Sequence, residues 1–391
     1  MDIKLPFDFP EPLRLFVCEF ITGGGLAGEP IPSGLAAEGE GMLRALLHDL
    51  LEIDGVEVVT TRDARLPPLA MGVTEIPIRE NTWECWMECI GQAQAVWPIA
   101  PETGGMLERL SRLTLQKERC LIGSRPEAIA VAASKWATAK CLAAGGVPVI
   151  ETVRVGGHVP DSAAGWVVKP DDGAGCEYTF YFNQRRRLEA WLKSENGQDN
   201  VIQPYLVGTP ASLSLLCSQG MVRILGCNKQ LIELCGGRFR CSGVMVNALS
   251  SQRAALQPLA KRIMQALPGL WGYVGVDLVL APEGPVVVEI NPRLTTSYVG
   301  LTQAIGKNPA RLVLDLLREE NAFPSHSREY RESEFCSFSL WEKARMRGDK
   351  TKTSSFYSPH PHPLPKGEGV KKTALPEGEG TFATPPAREE G

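Results

Sequence analysis

The 391-residue sequence lacks the features that mark several classes of protein. It contains no run of about 18 uncharged apolar residues, which a membrane-spanning helix would need. Its 41 Lys and Arg face 45 Asp and Glu, so it has no basic excess with which to bind a nucleic-acid backbone. The first 15 residues hold three acids and three prolines, unlike a secretory signal. We therefore expect a soluble cytoplasmic protein with no membrane and no nucleic-acid partner.

Metal-binding cysteine motifs and a serine-hydrolase motif are also missing. The 11 cysteines form no C-x-x-C pair, and the 5 histidines complete no cluster with zinc spacing. Cysteines such as Cys18 and Cys217 lie in apolar runs, where a thiol packs as a small hydrophobic group. This usage indicates a protein that stays reduced inside the cell. Cys85 and Cys89 are four residues apart on a predicted helix, but two thiols alone make a poor metal site. No G-x-S-x-G motif is present to supply a nucleophilic serine.

The pattern of hydrophobic segments changes near residue 150. Before it, strands and helices alternate as in an open parallel α/β sheet, with strands at 13–20, 56–60 and 95–99, a helix at 35–51 capped by Ser33, and two short helices within 125–145. After it, short β segments dominate and predict an α+β domain, with strands at 165–169, 176–182, 201–205, 212–217, 222–228, 273–280 and 286–290, and helices at 184–195, 252–266 and 299–319. The sequence thus predicts two domains of different fold class.

The segment from Val276 to Asn291 carries the strongest chemical signal. Its Pro and Gly residues predict a hairpin, and a turn centred on Glu283 sets Asp277 opposite Glu289. Period-two alternation then places Asp277, Glu289 and Asn291 on one face, and the other face pairs the apolar residues Val276, Leu278 and Leu280 with Ile290, Val288 and Val286. Opposed carboxylates repel unless a cation lies nearby, and two carboxylates with an amide oxygen suit Mg²⁺ and nucleotide phosphates. The alternative is an exposed face that carries these groups by chance, and Pro285 can shift the pairing by one residue.

Three other segments have features that suit a nucleotide, although each is unspecific alone. Lys169 ends a predicted strand and precedes a loop of small residues, Gly173, Ala174 and Gly175, whose N–H groups can approach a phosphate. Lys135 opens a predicted helix. The segment Gln203, Pro204, Tyr205 and Leu206 ends a predicted buried strand, where backbone groups can pair with a base edge.

A competing motif lies at Gly23–Gly28, which fits G-x-G-x-x-G after the first strand. The dinucleotide fingerprint requires a helix to open within the motif, but Pro30 and Pro32 follow and the helix begins only near Ser33. A flexible glycine loop is the favoured interpretation. An NAD(P)-binding oxidoreductase of the Rossmann type stays as an alternative function.

In this order the segments resemble the ATP-grasp superfamily, over roughly residues 13–320. The residues that carry the resemblance are Lys135, the run from Val168 to Gly175, Gln203–Leu206, Gly275–Asp277 and Glu289–Arg293. The resemblance implies a Rossmann-like pre-ATP-grasp domain at 12–130 and an ATP-grasp domain at 131–325.

The resemblance also implies roles for these residues. Lys135, Lys169 and the loop Gly173, Ala174 and Gly175 would contact ATP phosphates, and Gln203, Pro204, Tyr205 and Leu206 would line the adenine pocket. Asp277, Glu289 and Asn291 would hold Mg²⁺ or Mn²⁺, and Arg293 with Lys169 would act in catalysis. The chain departs from the family after the adenine strand, where Gly208 to Ser212 contain no acid for a ribose contact.

Within the superfamily, the sequence is most similar to the tyramine–glutamate ligases of methanofuran biosynthesis. The similarity rests on Glu19–Gly24, Ile99–Thr103, Pro210–Ser214, Asn228–Gln230 and Pro292–Tyr298. It implies ATP-driven joining of a small-molecule carboxylate, the glutamate side chain, to an amine such as tyramine through an acyl phosphate, with Glu102 and the Gly23 loop as wall positions for substrate. A ligase for another carboxylate with an amine or thiol and a non-catalytic nucleotide sensor are alternatives. A homodimer is compatible with the sequence.

The C-terminal segment has a composition unlike the rest of the chain. From Lys350 it loses periodicity, alternates Pro359, Pro361, Pro363 and Pro365 with His or Leu, and nearly repeats Lys-Gly-Glu-Gly. Such a segment buries too little apolar surface to order itself. We predict a disordered low-complexity tail at 350–391 whose deletion leaves activity intact.

Overall fold

The computed structural model describes residues 12–173, 178–194 and 199–319. Ala174, Gly175 and the predicted tail at 350–391 lie outside the described residues, so the predictions for them stay untested. No helix within the described ranges is both long enough and apolar enough to cross a membrane.

The first part of the chain forms a parallel α/β sheet, as its alternating pattern predicts. Five strands lie in the order β3-β2-β1-β4-β5, with β1 at Leu13–Glu19, β2 at Val56–Asp63, β3 at Thr74–Ile78, β4 at Ala95–Ile99 and β5 at Cys120–Leu121. The helices are α1 at Ser33–Leu51, α2 at Thr82–Gln92 and α3 at Met106–Gln116. The strand order reverses between β1 and β4, and the loops after these two strands flank the crevice where open α/β sheets bind ligands.

The expected cap of α1 is wrong. Ser33 is the first helical residue, Pro32 occupies the cap position, and no side chain bonds there. The fixed φ of Pro32 sets the chain for the helix, and its carbonyl accepts the N–H of Ala36 at 2.9 Å. The helical spacing itself is confirmed, because Leu43, Leu46, Leu47 and Leu50 are fully buried.

Two short helices connect the sheets, α4 at Pro126–Ala132 and α5 at Lys135–Ala144. Ser134 caps α5, since its hydroxyl accepts the N–H of Ala137 at 3.0 Å. The helix ends at Gly145, as predicted from the Gly145-Gly146 pair.

The second sheet has nine strands in the order β14-β13-β10-β11-β12-β8-β7-β9-β6, with antiparallel pairing between neighbours. The strands are β6 at Val153–Arg154, β7 at Trp166–Pro170, β8 at Phe180–Phe182, β9 at Asn200–Pro204, β10 at Thr209–Ser218, β11 at Met221–Cys235, β12 at Arg238–Met245, β13 at Gly272–Ala281 and β14 at Gly284–Asn291. The helices are α6 at Arg185–Ser194, α7 at Arg253–Ala266, α8 at Leu301–Ile305 and α9 at Pro309–Glu319. The expected single helix at 299–319 is wrong: Gly306, at φ +63°, ends α8 before α9 begins.

The β13–β14 hairpin follows the predicted register only in part. Asp277 pairs with Glu289, and Val276 pairs with Ile290, as expected. The turn has two residues rather than one at its centre, which shifts the pairing next to it by one residue, so Leu278 pairs with Val287 and Leu280 with Pro285. A bulge after Asp277 shifts the register back by one residue and restores the pairing of Asp277 with Glu289. The pairings predicted for Leu278 and Leu280 are therefore wrong, and Val287, rather than Val286 or Val288, is buried in the core.

A shared core joins the two domains. The buried leucines of α1 pack in one cluster with Tyr298, Leu301 and Val313 from the C-terminal part of the second domain. Within this cluster the buried carboxylate of Asp49 accepts hydrogen bonds from Tyr298 Oη at 2.8 Å and Thr302 Oγ1 at 2.9 Å. The C-terminal end of α1 is thereby held against the second domain.

Candidate active site

The two carboxylates of the hairpin, Asp277 and Glu289, face each other across β13 and β14. Asp277 accepts a hydrogen bond from Gln230 Nε2 at 2.9 Å and one from Asn291 Nδ2 at 3.3 Å. Burial, together with the charge of Glu289, raises the pKa of Asp277 to about 7. The two groups that donate these hydrogen bonds to Asp277 are neutral amides rather than cations.

Cations gather on the Glu289 side. Lys135 Nζ lies 3.7 Å and Lys169 Nζ 3.8 Å from Glu289 Oε2, and both ammonium groups are nearly buried. Although burial alone would raise it, the charges of Lys135 and Lys169 hold the pKa of Glu289 below its usual value. The opposite shifts of the two carboxyl groups mark the site as electrostatically perturbed, which is common at functional sites.

The loop after β7 binds the start of α5, where Lys135 lies, and so brings Lys135 to the end of the strand that carries Lys169. The carboxylate of Asp171 accepts hydrogen bonds from Ser134 Oγ and from the Trp136 N–H, each at 2.8 Å, and so binds the loop to the start of α5. Lys135 Nζ also donates to the carbonyl oxygen of Gly173. The structure thus brings together Lys135, Lys169 and Gly173, which the resemblance assigns to the phosphates; that role stays a prediction. Asp171 was not predicted, because it lies 35 residues from Trp136 in sequence and no local pattern links the two.

The segment predicted to hold adenine lies next to Lys169 on the sheet. Gln203 on β9 pairs with Val167, two residues before Lys169 on β7, so its side chain shares the face of Lys169 about 7 Å along the strand. Gln203 is 1% exposed and donates to Thr152 Oγ1 at 2.9 Å. Pro204 ends β9, and Tyr205 and Leu206 follow half-buried, with the Tyr205 ring 5.1 Å from that of Tyr181.

Arg293 follows β14 directly and reaches the first domain. Its Nε and Nη2 donate to Glu102 Oε2 at 3.0 and 2.9 Å. Although burial alone would lower it, Glu102, and after it Glu289 and Asp277, hold the pKa of Arg293 above its usual value. Arg293 therefore lies within electrostatic reach of the carboxylate pair while it is paired with Glu102. The loop after β4 consequently borders the site, and the role of Glu102 as a wall position for substrate stays a prediction.

The glycine motif after β1 does not form a dinucleotide-binding turn. Residues Ile21–Gly25 form a π-helical turn, and α1 begins only at Ser33. The buried carboxylate of Glu19 accepts hydrogen bonds from the N–H and hydroxyl of Thr22, and Trp86 Nε1 donates to the Gly23 carbonyl at 3.3 Å. The expected flexible loop is thus a turn with many internal bonds, and its geometry does not support the NAD(P) alternative.

The comparisons with known proteins agree with this arrangement. The model of a pre ATP-grasp domain matches residues 56–129, and the model of an ATP-grasp domain matches residues 132–297. The tyramine–L-glutamate ligase of Methanocaldococcus jannaschii is 25% identical over 269 residues, which cover 68% of this chain and 78% of that protein. The enzyme of the same name from Methanocaldococcus fervens is 25% identical over 289 residues, covering 72% and 87%.

A solved structure adds the fold. The crystal structure of an ATP-grasp superfamily protein from Archaeoglobus fulgidus superposes with a TM-score of 0.60 at 25% identity, covering 78% of this chain and 88% of the other. Fold, domain order and the clustering of the motif residues agree with the resemblance found in the sequence. The chain belongs to the ATP-grasp family of carboxylate–amine ligases.

Proposed function

We propose that this chain is an ATP- and Mg²⁺-dependent ligase that joins the side-chain carboxylate of glutamate to tyramine in the biosynthesis of a methanofuran-type cofactor. The proposal is carried by the set of charges around Glu289, with Asp277 opposite it and Lys135 and Lys169 against it. The names of the two Methanocaldococcus relatives, which align with about 70% of the chain, support the choice of substrates.

The carboxylate pair fits a divalent cation. Asp277, Glu289 and Asn291 offer the hard oxygen atoms that Mg²⁺ prefers, and the raised pKa of Asp277 reflects a charge that a cation would stabilise. These three residues would hold Mg²⁺, with Mn²⁺ as the alternative ion, and the bound ion would neutralise charge on the transferred phosphoryl group. Gln230 would keep Asp277 oriented toward Glu289 through its 2.9 Å hydrogen bond.

The cationic side chains account for the chemistry. In the first step a glutamate carboxylate oxygen bonds to the γ-phosphorus of ATP while the bond to ADP breaks, and Lys169 and Arg293 offset charge on the phosphoryl oxygens. In the second step the amine nitrogen bonds to the acyl carbon, phosphate leaves, and the nitrogen gives up its proton. No protein nucleophile takes part, which agrees with the missing G-x-S-x-G motif.

The other predictions complete this proposal. Lys135 and the loop at Gly173 would contact the phosphates, and Gln203 to Leu206 would line the adenine pocket. The domain limits would be 12–130 and 131–325. A cytoplasmic location and a homodimeric assembly stay predictions.

The decisive experiment looks for the product itself. Purified protein is incubated with ATP, Mg²⁺, glutamate and tyramine, and γ-glutamyltyramine is sought by mass spectrometry together with ADP and phosphate. We expect product only when all four components are present. A screen of other acids, amines and thiols by phosphate release runs in parallel. Turnover with another pair but not with this one would overturn the substrate assignment while leaving the ligase chemistry in place.

A further inference from the structure

The loop after β4 connects two parts of the candidate active site. At its start Glu102 pairs with Arg293, and two residues later the Gly104 N–H donates to Asp172 Oδ2 at 2.9 Å. Asp172 belongs to the loop that positions Lys135. The first domain thus places one carboxylate, that of Glu102, between the catalytic arginine and the phosphate-binding loop.

The two oxygen atoms of Glu102 have different surroundings. Oε2 accepts both hydrogen bonds from Arg293, whereas Oε1 is fully buried and accepts none from the described residues. The residue as a whole is only 7% exposed. A buried carboxylate oxygen without a donor is unfavourable, so a native structure that keeps one calls for an explanation.

The surrounding charges favour a cationic donor. Burial raises the pKa of Asp172, and the negative charges of Asp171 and Glu102 add to this shift. Three carboxylates therefore share this side of the site. Arg293 donates to Oε2 and to the carbonyl of Leu294 but not to Oε1, so a second cationic donor would satisfy this atom.

We propose that Glu102 Oε1 binds the primary ammonium group of a substrate, which makes Glu102 a specificity-determining residue of the first domain. The proposal rests on the proposed function, because an amine must approach the acyl carbon, which a single bridging oxygen joins to the phosphoryl group that Arg293 stabilises. A group paired to Arg293 is therefore near the incoming nitrogen. The attacking amine and the α-amino group of glutamate offer the same ammonium chemistry, and the experiment separates them.

Access to Oε1 requires the loop at 101–105 to move, because the atom is closed off from solvent. The loop contains Gly104 and Gly105, with φ of +64° and +68°. Glycine adopts this backbone region and others at little cost, which suits a segment that changes conformation.

The substitution Glu102→Gln tests the proposal with little change in shape. The amide oxygen of Gln can keep both hydrogen bonds from Arg293, but its NH₂ group then replaces the acceptor at the position of Oε1. The matched control is Glu127→Gln, which makes the same change at a carboxylate on α4. Glu127 is also paired with an arginine, since Arg112 Nη1 on α3 lies 3.1 Å from Glu127 Oε1. Glu102→Asp, which keeps the charge, serves as the second variant should Glu102→Gln fold poorly.

Two assays divide the reaction. Hydroxylamine is mostly uncharged at neutral pH and traps the acyl phosphate as a hydroxamate, so this assay needs ATP, Mg²⁺ and the acid but no acceptor that carries an ammonium group. The complete reaction needs an acceptor that carries an ammonium group. We expect Glu102→Gln to raise the KM for tyramine roughly 10- to 100-fold, because the variant loses a hydrogen bond to the charged ammonium group. Hydroxamate formation should stay near the wild-type rate, because hydroxylamine carries no ammonium group for Glu102 to bind. Glu127→Gln should match the wild type in both assays.

The other outcomes are equally informative. A raised KM for glutamate in the hydroxamate assay would identify its α-ammonium group as the ligand. An equal fall of kcat in both assays with unchanged KM values would overturn the proposal, since Glu102 would then only position Arg293. Failure of the wild type to make either product would refute the proposed function instead, and the comparison would be repeated with the acid and amine that support turnover.

Discussion

Glu289 is the residue whose replacement should damage the site most selectively. Its Oε2 lies 3.7 and 3.8 Å from two ammonium groups, and each pair is worth roughly 4 kcal/mol of attraction at the effective dielectric of a partly buried site, before desolvation is subtracted. In Glu289→Gln this attraction is lost, the two lysines lose their nearest anion, and one cation ligand becomes neutral. We expect kcat/KM to fall by about 10³-fold or more, which corresponds to about 4 kcal/mol of transition-state stabilisation.

The assay is formation of the amide product with ADP release, together with a titration of Mg²⁺. The thermal midpoint should change little by comparison, because relief of the repulsion on Asp277 offsets part of the lost attraction. Glu283→Gln is the matched control, since Glu283 lies exposed in the turn of the same hairpin. Near-normal turnover of Glu289→Gln would refute the metal assignment and with it the electrostatic argument for the site.

Three further results are expected. The pKa of Asp277 is raised in the folded chain, so the contribution of Asp277 to stability falls as pH rises from about 4 through 7. Asp277→Asn should therefore raise the free energy of unfolding of the metal-free protein by up to about 4 kcal/mol at pH 8 and by much less at pH 5, which melting temperatures at the two pH values would show. Lys169→Met should raise the KM for ATP at least tenfold and lower hydroxamate formation, measured at saturating acid. Gly275→Ala should lower both stability and activity, because its new Cβ would come within 2.5 Å of Thr295 Cγ2, two residues after Arg293; an unchanged melting temperature would contradict this.

The parts of the fold that follow from local patterns could be predicted from the sequence. Alternation and the Pro-Glu-Gly turn were enough to pair Asp277 with Glu289, because the core face admits only one parity of register. The bulge beyond them could not be predicted, since a two-residue turn and a one-residue bulge together leave the same parity at Asp277. The strand β12 was missed because most of its residues are exposed, so no run of buried apolar residues marks it in the sequence.

The contacts that give the candidate site its charge depend on tertiary structure. Lys135 and Lys169 come from different elements and meet only because Asp171 binds the loop to the start of α5. No spacing rule predicts such a meeting, and only the resemblance to a family placed both lysines at one site.

The pairing of Glu102 with Arg293 also depends on tertiary structure. The two residues are 191 positions apart and belong to different domains, so their contact exists only where the carboxyl end of the parallel sheet meets the hairpin. The buried Asp49–Tyr298 hydrogen bond is a separate contact between the domains, at the C-terminal end of α1. Under the proposed function, the ATP-grasp domain would supply the groups that act on phosphate, and the first domain would add a carboxylate at the point where the second substrate must arrive. On this arrangement, exchange of the loop after β4 should change the preferred amine without changing the first step, whereas changes at Lys169 should impair both steps.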